Sequence, residues 1–536
     1  MTRAKLTSKQ ILRKFINLAK KLRRIPRNLD LEENGITTSM YRHHFVNMAG
    51  LLRAAKETEP ELFESLIDES VFTPERLEKL RGEVDKYRRF IVTSVVAGAP
   101  LHKGFHRALQ NYAERHSAKI LYIPIADPAS RAGWSLPLEL GADSIVHGDL
   151  EITPHLAVSN IKMSAKHIDP TAGVARLARN RSVVFGSPKQ HMRMVPNRNG
   201  EYPHALMSSG AITKPMYDTE RYMSQRTARL AELDHVVGAV VFELETSGQF
   251  HFRQVQADGR GAFIDLGVRY HADGTTSEVH PEYFILGDWH VGDTDPGVED
   301  TTRHIAAALK PQHLVLHDFF DGKSISHHNE GKLITKARNV RTFPTLKSEI
   351  AECRSDLKTL LDMVPGKVYI VASNHDDFLG RYLNSSRWTG DYVNFEFVSA
   401  LLPLVFDGEN PLRAALRTLD PKLDLSRVVF LDVHDSLSPS GVELAAHGHL
   451  GPNGAKGSIR NLSEAYGSVI IGHSHSPGVY RSAYQVGTST KLTLDYTAGP
   501  SSWMNTHCVL YPNGSRQLIN IVDSKWRAEY NRRKGK

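Results

Sequence analysis

Five clusters of Asp, Asn and His residues in the C-terminal half of this 536-residue chain have side chains of the kind that bind metal ions. Each cluster follows a short apolar run, and the runs are Tyr283–Leu286, His313–Leu316, Val368–Val371, Val442–Ala446 and Ser468–Ile471. Such runs predict buried strands, and the patterns over Val298–Lys310 and Leu346–Met363 predict helices between the first three. Because parallel strands joined by helices end along one edge of a sheet, we expect the clusters to converge.

The residue types in these clusters indicate the class of metal. They comprise carboxylates, imidazoles and one side-chain amide but no thiolate, which suits borderline-hard divalent ions. We predict two divalent ions, with manganese as the first choice and iron, zinc and magnesium as alternatives. Two ions about 3.5–4 Å apart can clamp a phosphate between them. This arrangement requires one bridging carboxylate, for which Asp318 is the natural candidate.

The order of the clusters resembles the calcineurin-like metallophosphoesterase superfamily. That family's motifs run Asp-x-His, Gly-Asp-x-x-Asp, Gly-Asn-His-Asp/Glu, a single His and Gly-His-x-His. The resemblance implies an α/β domain over residues 281–515, built as a β-sandwich flanked by helices. It implies one ion on Asp288, His290, Asp318 and His475, and a second on Asp318, Asn374, His447 and His473. It also implies that His375 is a general acid beside the leaving oxygen.

Two positions depart from the family pattern. His317 stands where a Gly is usual before the bridging Asp, and Ser373 stands where a Gly precedes Asn374. Neither position belongs to the implied ligands, so we expect metal binding to be retained. The departures can change the preferred metal or the reach of a bound phosphate.

The remaining chain divides into three parts. Residues 1–90 have only helical patterns, and residues 91–280 alternate strand-like and helix-like runs, which predicts a second α/β domain of unknown role. Residues 516–536 predict a basic C-terminal tail. In the middle domain, the polar runs Ser187–His191 and Ser208–Gly210 suit either a groove or ordinary loops.

The positive charge of the chain is concentrated at its N-terminus. The net charge is +8, and residues 1–50, with eleven Lys or Arg and three acidic residues, account for all of it. A second cluster of six cations lies in residues 525–536. Basic termini on a neutral body are typical of proteins that bind a polyanion such as nucleic acid, although solubilising tails have the same composition.

The N-terminal patterns predict three or four short helices. Ser8 can cap the first, Pro26 can begin the second, Thr37 or Thr38 can cap a third over Tyr41–Phe45, and a fourth covers Val46–Lys56. This arrangement predicts a helix-turn-helix module that binds DNA. It also resembles the small helical repeat that accompanies homing endonucleases, while a helical docking domain is the alternative. The predicted DNA contacts are Arg23, Arg24, Arg27, Tyr41 and Arg42.

Several classes of protein are excluded by composition. Cys353 and Cys508 are too few for a disulfide framework, which indicates a reducing cytoplasm. The longest apolar run, Val236–Phe242, is far shorter than the ~20 residues of a membrane span, and the charged N-terminus lacks the pattern of a signal peptide. We expect no membrane association. A homo-oligomer is compatible with the sequence.

The basic helical module beside a two-metal site favours a nuclease. The C-terminal motifs resemble the branch of the superfamily that holds double-strand-break repair nucleases, and the three-part layout resembles early-expressed host-DNA-degrading proteins of tailed phages. These resemblances imply a metal-dependent deoxyribonuclease that acts on DNA in the host cytoplasm. The alternatives are a phosphodiesterase or phosphatase acting on nucleotides or other small substrates, and a DNA-binding regulatory protein with a weakly active site.

Overall fold

The computed structural model describes residues 6–22, 24–64, 67–68, 72–125, 135–198, 200–217, 225–326, 344–494 and 497–528. The chain divides into two compact units. Unit 1 comprises Met1–His191, Ala205–Asp265 and Arg269–Ser277, and unit 2 comprises Met192–His204, Leu266–Val268 and Glu278–Lys536.

Unit 1 begins with a group of short helices. Its helices are α1 (Ser8–Leu22), α2 (Asn28–Glu33), α3 (Thr38–Phe45), α4 (Met48–Thr58), α5 (Pro60–Glu64), α6 (Pro74–Arg81), α7 (Lys103–His116) and α8 (Gln225–Leu233). The predicted helical N-terminal region is thus confirmed. Thr7 caps α1 instead of Ser8, because its hydroxyl accepts from the backbone N–H of Gln10 at 3.3 Å. The first four helices enclose a core that includes Phe15, Leu31 and Leu51.

Unit 1 also contains the predicted middle α/β region. Its strands are β1 (Ile67–Asp68), β2 (Arg89–Val96), β3 (Lys119–Ile125), β4 (Ser135–Leu136), β5 (Asp149–Thr153), β6 (Leu156–Ser159), β7 (Ser182–Phe185), β9 (His204–Ser208), β10 (Gly238–Leu244) and β11 (Phe250–Gln256). One sheet has the order β11-β10-β2-β3, in which β2 and β3 are parallel. In another, β7 lies parallel to β6 and β9.

The polar run Ser187–His191 lies inside unit 1. Lys189, Gln190 and His191 are all buried, each about 1% exposed. The Gln190 side-chain amide donates to the carbonyls of Ser209 and Ala239, and the Ser208 hydroxyl donates to the carbonyl of Lys189. These polar groups hydrogen-bond to neighbouring chain segments. The run is therefore part of the interior and does not line a groove.

Unit 2 contains helices α9 (Pro296–Leu309), α10 (Leu346–Asp362), α11 (Asp377–Asn384), α12 (Phe395–Phe406), α13 (Pro411–Leu419) and α14 (Ile459–Tyr466). Its strands are β8 (Met192–Val195), β15 (Tyr283–Ile285), β16 (His313–Leu316), β17 (Val368–Val371), β18 (Val428–Leu431), β19 (Val469–Ile471), β20 (Gly478–Tyr480), β21 (Ala483–Gln485), β22 (Thr506–Leu510) and β23 (Arg516–Asn520). Three further short strands, β12 (Phe263–Asp265), β13 (Val268–Tyr270) and β14 (Thr276–Glu278), precede β15 in the sequence.

Two sheets form the frame of unit 2, which confirms the predicted α/β sandwich class. The first has the order β18-β17-β16-β15-β22-β23, with the four strands from β18 to β15 parallel. The second contains β19, β21, β20 and β8 in that order. The first three ligand clusters therefore follow neighbouring parallel strands of one sheet, as expected. The last follows β19 in the other sheet.

Two predictions about unit 2 are wrong. Val442–Ala446 is not a strand, because the Glu443 carboxylate accepts from the backbone N–H groups of Leu437, Leu444 and Ala445, and the N–H of Leu444 also donates to the nearby carbonyl of Leu437. One bridge to Val469 remains. The predicted tail over residues 516–536 begins as strand β23, which pairs antiparallel with β22. Residues 529–536 lie outside the described residues.

Candidate metal centre

The loops that follow the strands of unit 2 hold several ligand candidates in an unusual backbone conformation. His290, Asp318, His473 and His475 have positive φ angles of 48°, 45°, 73° and 58°. Residues other than glycine adopt this left-handed region only at an energetic cost, and such residues concentrate at functional sites. This backbone conformation is consistent with loops that orient particular side chains toward one site.

Four of the predicted ligands lie together in the interior of unit 2. Asp288, His290, Asp318 and His475 are buried, and one ligand atom from each lies within 4.8 Å of the others. The Nε2 atoms of His290 and His475 are 3.1 Å apart. His475 Nε2 also lies 3.2 Å from Asp288 Oδ2, and His290 Nε2 lies 3.5 Å from Asp318 Oδ2. This is the group that the sequence assigned to one ion.

Asp318 connects this group with the residues predicted for the second ion. His447 Nε2 lies 3.3 Å from Asp318 Oδ2, and the rings of His447 and His473 are in edge contact, with centroids 5.3 Å apart. Asn374 follows β17 and precedes His375 in the same loop. One carboxylate therefore has histidines of both predicted groups as neighbours, which is the position that a bridging ligand requires.

The hydrogen bonding of the buried ligands tests whether a cation fits. Among the described residues, both carboxylate oxygens of Asp288, Oδ1 of Asp318 and Oδ1 of Asn374 are buried and accept no hydrogen bond. Burying such groups unsatisfied is costly, and carboxylate charge makes it more so. Burial also lowers the pKa of His473 and His475, which favours the neutral imidazoles that bind metals. The donor set therefore fits divalent cations.

Glycine is required at one position beside these ligands. A Cβ atom at Gly472 would overlap Oδ1 of Asp288 and press against His317. The backbone of the Gly-His-Ser-His motif thus lies directly against the first aspartate. This contact explains in physical terms why the motif begins with glycine.

Asp321 orients two histidines of the site. Its carboxylate accepts from Nδ1 of His290 at 2.9 Å, and its backbone carbonyl accepts from Nδ1 of His375 at 3.0 Å. Each histidine therefore has its Nε2 atom available for other partners. Burial opposes protonation of His375, but the charge of Asp318 and the hydrogen bond to Asp321 outweigh it and raise the pKa of His375 to about 10.

Two further residues position ligands. His317, at the first departure from the family pattern, has its Nδ1 atom 3.4 Å from Nδ1 of His447. Burial and, to a smaller extent, the charge of the neighbouring His447 lower the pKa of His317 to about 4. A neutral His317 can therefore accept a hydrogen bond from Nδ1 of His447, which leaves Nε2 of His447 facing Asp318. Trp503 contacts the His475 ring at a centroid distance of 4.2 Å. No spacing pattern in the sequence connects Trp503 with this site.

The predicted DNA contacts in the N-terminal helices have mixed positions. Arg24 is buried and donates two 2.8 Å hydrogen bonds to Asp30, and Tyr41 is 2% exposed and donates to Asn28. Both are committed to the interior, so their prediction as DNA contacts is wrong. Arg27 is partly buried, Arg42 is exposed near the end of α3, and Arg23 lies outside the described residues.

Comparison with known proteins agrees with this geometry. A sequence model of the calcineurin-like phosphoesterase family matches residues 283–477. Protein A1 of Escherichia phage T5 is 27% identical over 488 residues, which cover 83% of this chain and 84% of that protein. No solved structure matches the chain. Residues 283–477 are thus a calcineurin-like phosphoesterase domain, and this domain supports hydrolase activity on phosphoesters.

None of the described helices is both long enough and apolar enough to cross a bilayer.

Proposed function

We propose that this calcineurin-like phosphoesterase domain hydrolyses phosphodiester bonds of DNA with two divalent ions, manganese being preferred. We further propose that the protein is phage-encoded and degrades host DNA in the host cytoplasm. The observation that carries the proposal is a basic helix surface on the same chain as the phosphoesterase site. The similarity to a phage protein over most of both chains supports the proposed origin.

The basic surface is the exposed side of α1. Its apolar residues, among them Ile11, Phe15 and Ala19, are buried in the helical core. Its exposed cations are Lys9, Arg13, Lys14, Lys20 and Lys21. Lys20 is paired with Glu59 at 2.8 Å, and the remaining four are placed to contact phosphates. Such contacts give sequence-independent affinity, which is what a DNA-degrading enzyme requires.

The residues of the candidate centre have the roles that this reaction needs. Asp288, His290, Asp318 and His475 would hold one ion, and Asp318, Asn374, His447 and His473 the other. Two bound ions would stabilise the charge that develops on the phosphate and supply the attacking nucleophile. Asp321 holds Nδ1 of His375, so Nε2 of His375 is free to donate a proton to the leaving oxygen.

Nuclease assays on the full-length protein test this proposal. We expect Mn²⁺ to support cleavage of supercoiled plasmid and of end-labelled linear duplex, and we expect a chelator to stop it. DNA cleavage should fall steeply as salt rises, whereas hydrolysis of a small chromogenic diester should change little. Hydrolysis of the small diester without any cleavage of DNA would refute the nuclease and favour the small-substrate alternative.

Charge reversal on α1 tests the basic surface. The double variant Arg13→Glu, Lys14→Glu should weaken DNA binding. The slope of log binding constant against log salt concentration should become shallower by about 0.9 for each phosphate contact that is lost. The matched control reverses Arg176 and Arg179, two exposed arginines elsewhere in unit 1. The control should bind DNA like the wild type, and both proteins should hydrolyse the small diester normally. Equal losses on DNA in the two variants would mean that α1 is not the DNA-binding surface.

A further inference from the structure

A cavity lies beside the candidate metal centre in unit 2. It has a volume of about 510 Å³ and extends from the carboxyl ends of β17 and β18 to Asn374 and His449. A space of this size is typical of a small-molecule site and is far larger than one phosphate group needs. Since Asn374 lines both the cavity and the centre, an occupant of the cavity would be continuous with the phosphate being cleaved.

One wall of the cavity has a cation suited to phosphate. Arg381 lies on α11, and its guanidinium donates to the backbone carbonyl of Asn374. Its carboxylate partner is Asp377, four residues earlier, at 3.0 Å, and both side chains are about half exposed. An exposed pair of this kind is weak, so Arg381 can bind a phosphate against the opposing charge of Asp377 and Asp432, which also line the cavity. Arginine is also the residue whose donors match two phosphate oxygens at once.

Part of the cavity lining is apolar and exposed. The side chains of Val433 and Leu450 are 50% and 44% exposed, although both line the cavity. Ile370, Leu412 and Phe430 also contribute apolar lining. Exposed aliphatic groups beside a hydrolytic centre would cover the flat face of a base, as in enzymes that hold a flipped nucleotide between apolar side chains.

We infer that this cavity binds one unpaired nucleotide of the substrate, with its phosphate on Arg381 and its base against Val433 and Leu450. The inference rests on the proposed function and deepens it. A base in an intact duplex is stacked on both faces, so it must leave its pair to enter. The protein should therefore prefer single strands, flaps or frayed ends over blunt duplex.

Binding of three small probes to the metal-free full-length protein tests the cavity without using activity. The probes are deoxythymidine 5′-monophosphate, thymidine, which lacks the phosphate, and deoxyribose 5-phosphate, which lacks the base. Calorimetry should show tightest binding for the complete nucleotide. No binding of the nucleotide at millimolar concentration would overturn the inference.

Two variants assign the two halves of the nucleotide. Arg381→Gln should weaken binding of the nucleotide and of the sugar phosphate about tenfold and leave thymidine binding unchanged. Leu450→Ser should weaken binding of the nucleotide and of thymidine and leave binding of the sugar phosphate unchanged. The matched controls, Arg417→Gln and Leu177→Ser, change a comparably exposed arginine and leucine outside the cavity and should have no effect. Equal losses on all three probes, or none, would overturn the inference.

Cleavage assays separate this inference from the proposed function. The wild type should cut single strands faster than blunt duplex, and Leu450→Ser should reduce that preference. If the protein cleaves DNA but Arg381→Gln and Leu450→Ser leave nucleotide binding unchanged, the cavity assignment is wrong and the nuclease proposal is retained. If the probes bind as expected but no DNA is cleaved, the nuclease fails and the nucleotide cavity stands.

Discussion

The two units of this protein bury charged side chains in opposite ways. In unit 1, Arg253 donates to Asp265 at 2.7 and 3.0 Å and contacts Glu243 at 2.5 Å, while Arg89 lies 3.3 Å from Glu243. Two arginines thus face two carboxylates. In unit 2, Asp288 and Asp318 are equally buried, but among the described residues their partners of opposite charge are histidines.

The difference shows how a structural cluster can be distinguished from a cation site. The unit 1 cluster is balanced by its own side chains, so nothing further is needed to offset the cost of burial. In the unit 2 cluster, carboxylate oxygens remain without hydrogen bonds, so the balance must come from added positive charge. The same substitution, Asp to Asn, should therefore affect metal content only in unit 2 and should cost more stability in unit 1.

The largest effect is expected for Asp318→Asn, which should abolish the metal centre. Because Asp318 lies between both predicted groups of ligands, its loss should release more metal than removal of His473. Phosphodiester hydrolysis should fall at least about 1,000-fold, since metal catalysis contributes several kcal/mol. Elemental analysis and diester hydrolysis measure both effects.

The stability of the same variant sharpens the comparison. Without metal, Asp318→Asn should cost less unfolding free energy than the same change in the unit 1 cluster, because histidines balance the charge of Asp318 and leave its Oδ1 without a hydrogen bond. Full metal occupancy in the variant would refute the bridging role of Asp318. A large loss of stability in the metal-free variant would show that this cluster, too, is structural.

The next effect concerns His375, which is not a predicted ligand but donates a hydrogen bond to the backbone carbonyl of Asp321 beside the cluster. His375→Ala should retain both ions and DNA binding, while DNA cleavage falls by roughly 10²–10⁴, the usual contribution of a positioned general acid. Hydrolysis of a p-nitrophenyl diester should fall much less, because p-nitrophenolate leaves without a proton. Metal content measured beside both rates distinguishes chemistry from ligand damage. Equal losses on the two substrates with metals intact would mean that His375 positions the phosphate.

In unit 1, Asp265→Asn should destabilise the fold and leave the metal content unchanged. The substitution leaves Arg253 buried with one carboxylate fewer, which typically costs about 3–5 kcal/mol of unfolding free energy. Glu151→Gln removes the partner of Arg181 in a more exposed pair and should cost about 1 kcal/mol or less. Urea denaturation measures both. Similar costs for the two variants would contradict the view that the unit 1 cluster depends on its internal charge balance.

The sequence predicted the centre far better than the DNA contacts, and the reason is the range of the interactions. Each ligand of the centre is next to an apolar run, so local pattern was enough to place β15, β16, β17 and β19. The partner of Arg24 is Asp30, across Pro26 and outside any helical spacing. A charge count alone could not show that this arginine is neutralised within the fold.

The failed strand has the same kind of explanation. Val442–Ala446 has the composition of a strand, but Glu443 satisfies the local backbone N–H groups with its own carboxylate. Competition between a side chain and a strand partner depends on tertiary structure and is not visible in composition. The cavity beside Asn374 was likewise unpredictable, because its walls come from β17, α11, residues 410–412, β18 and residues 449–450.

A further effect is expected for His507, which shows a third way of burying a titratable group, as a neutral one. His507 is fully buried in unit 2, where its Nδ1 accepts from the backbone N–H of Gly287 at 2.9 Å and its Nε2 lies 2.8 Å from the Thr302 hydroxyl. Burial lowers its pKa to about 3, so the folded protein resists its protonation.

The pH dependence of stability follows from this neutral histidine. Because the folded pKa lies below the unfolded value of about 6.5, the stability that His507 contributes is complete above that pH and is lost as the pH falls toward 3. Between pH 7 and pH 5 this loss should be about 2 kcal/mol. In His507→Asn, the amide oxygen can still accept from the backbone N–H of Gly287. Between pH 7 and pH 5, the variant should therefore lose about 2 kcal/mol less unfolding free energy than the wild type. Urea denaturation of both metal-free proteins at the two pH values measures the difference. Identical pH dependence would mean that His507 binds its proton equally well in the folded and unfolded states, and the neutral hydrogen bonds that hold Gly287 beside Asp288 would have to be reassigned.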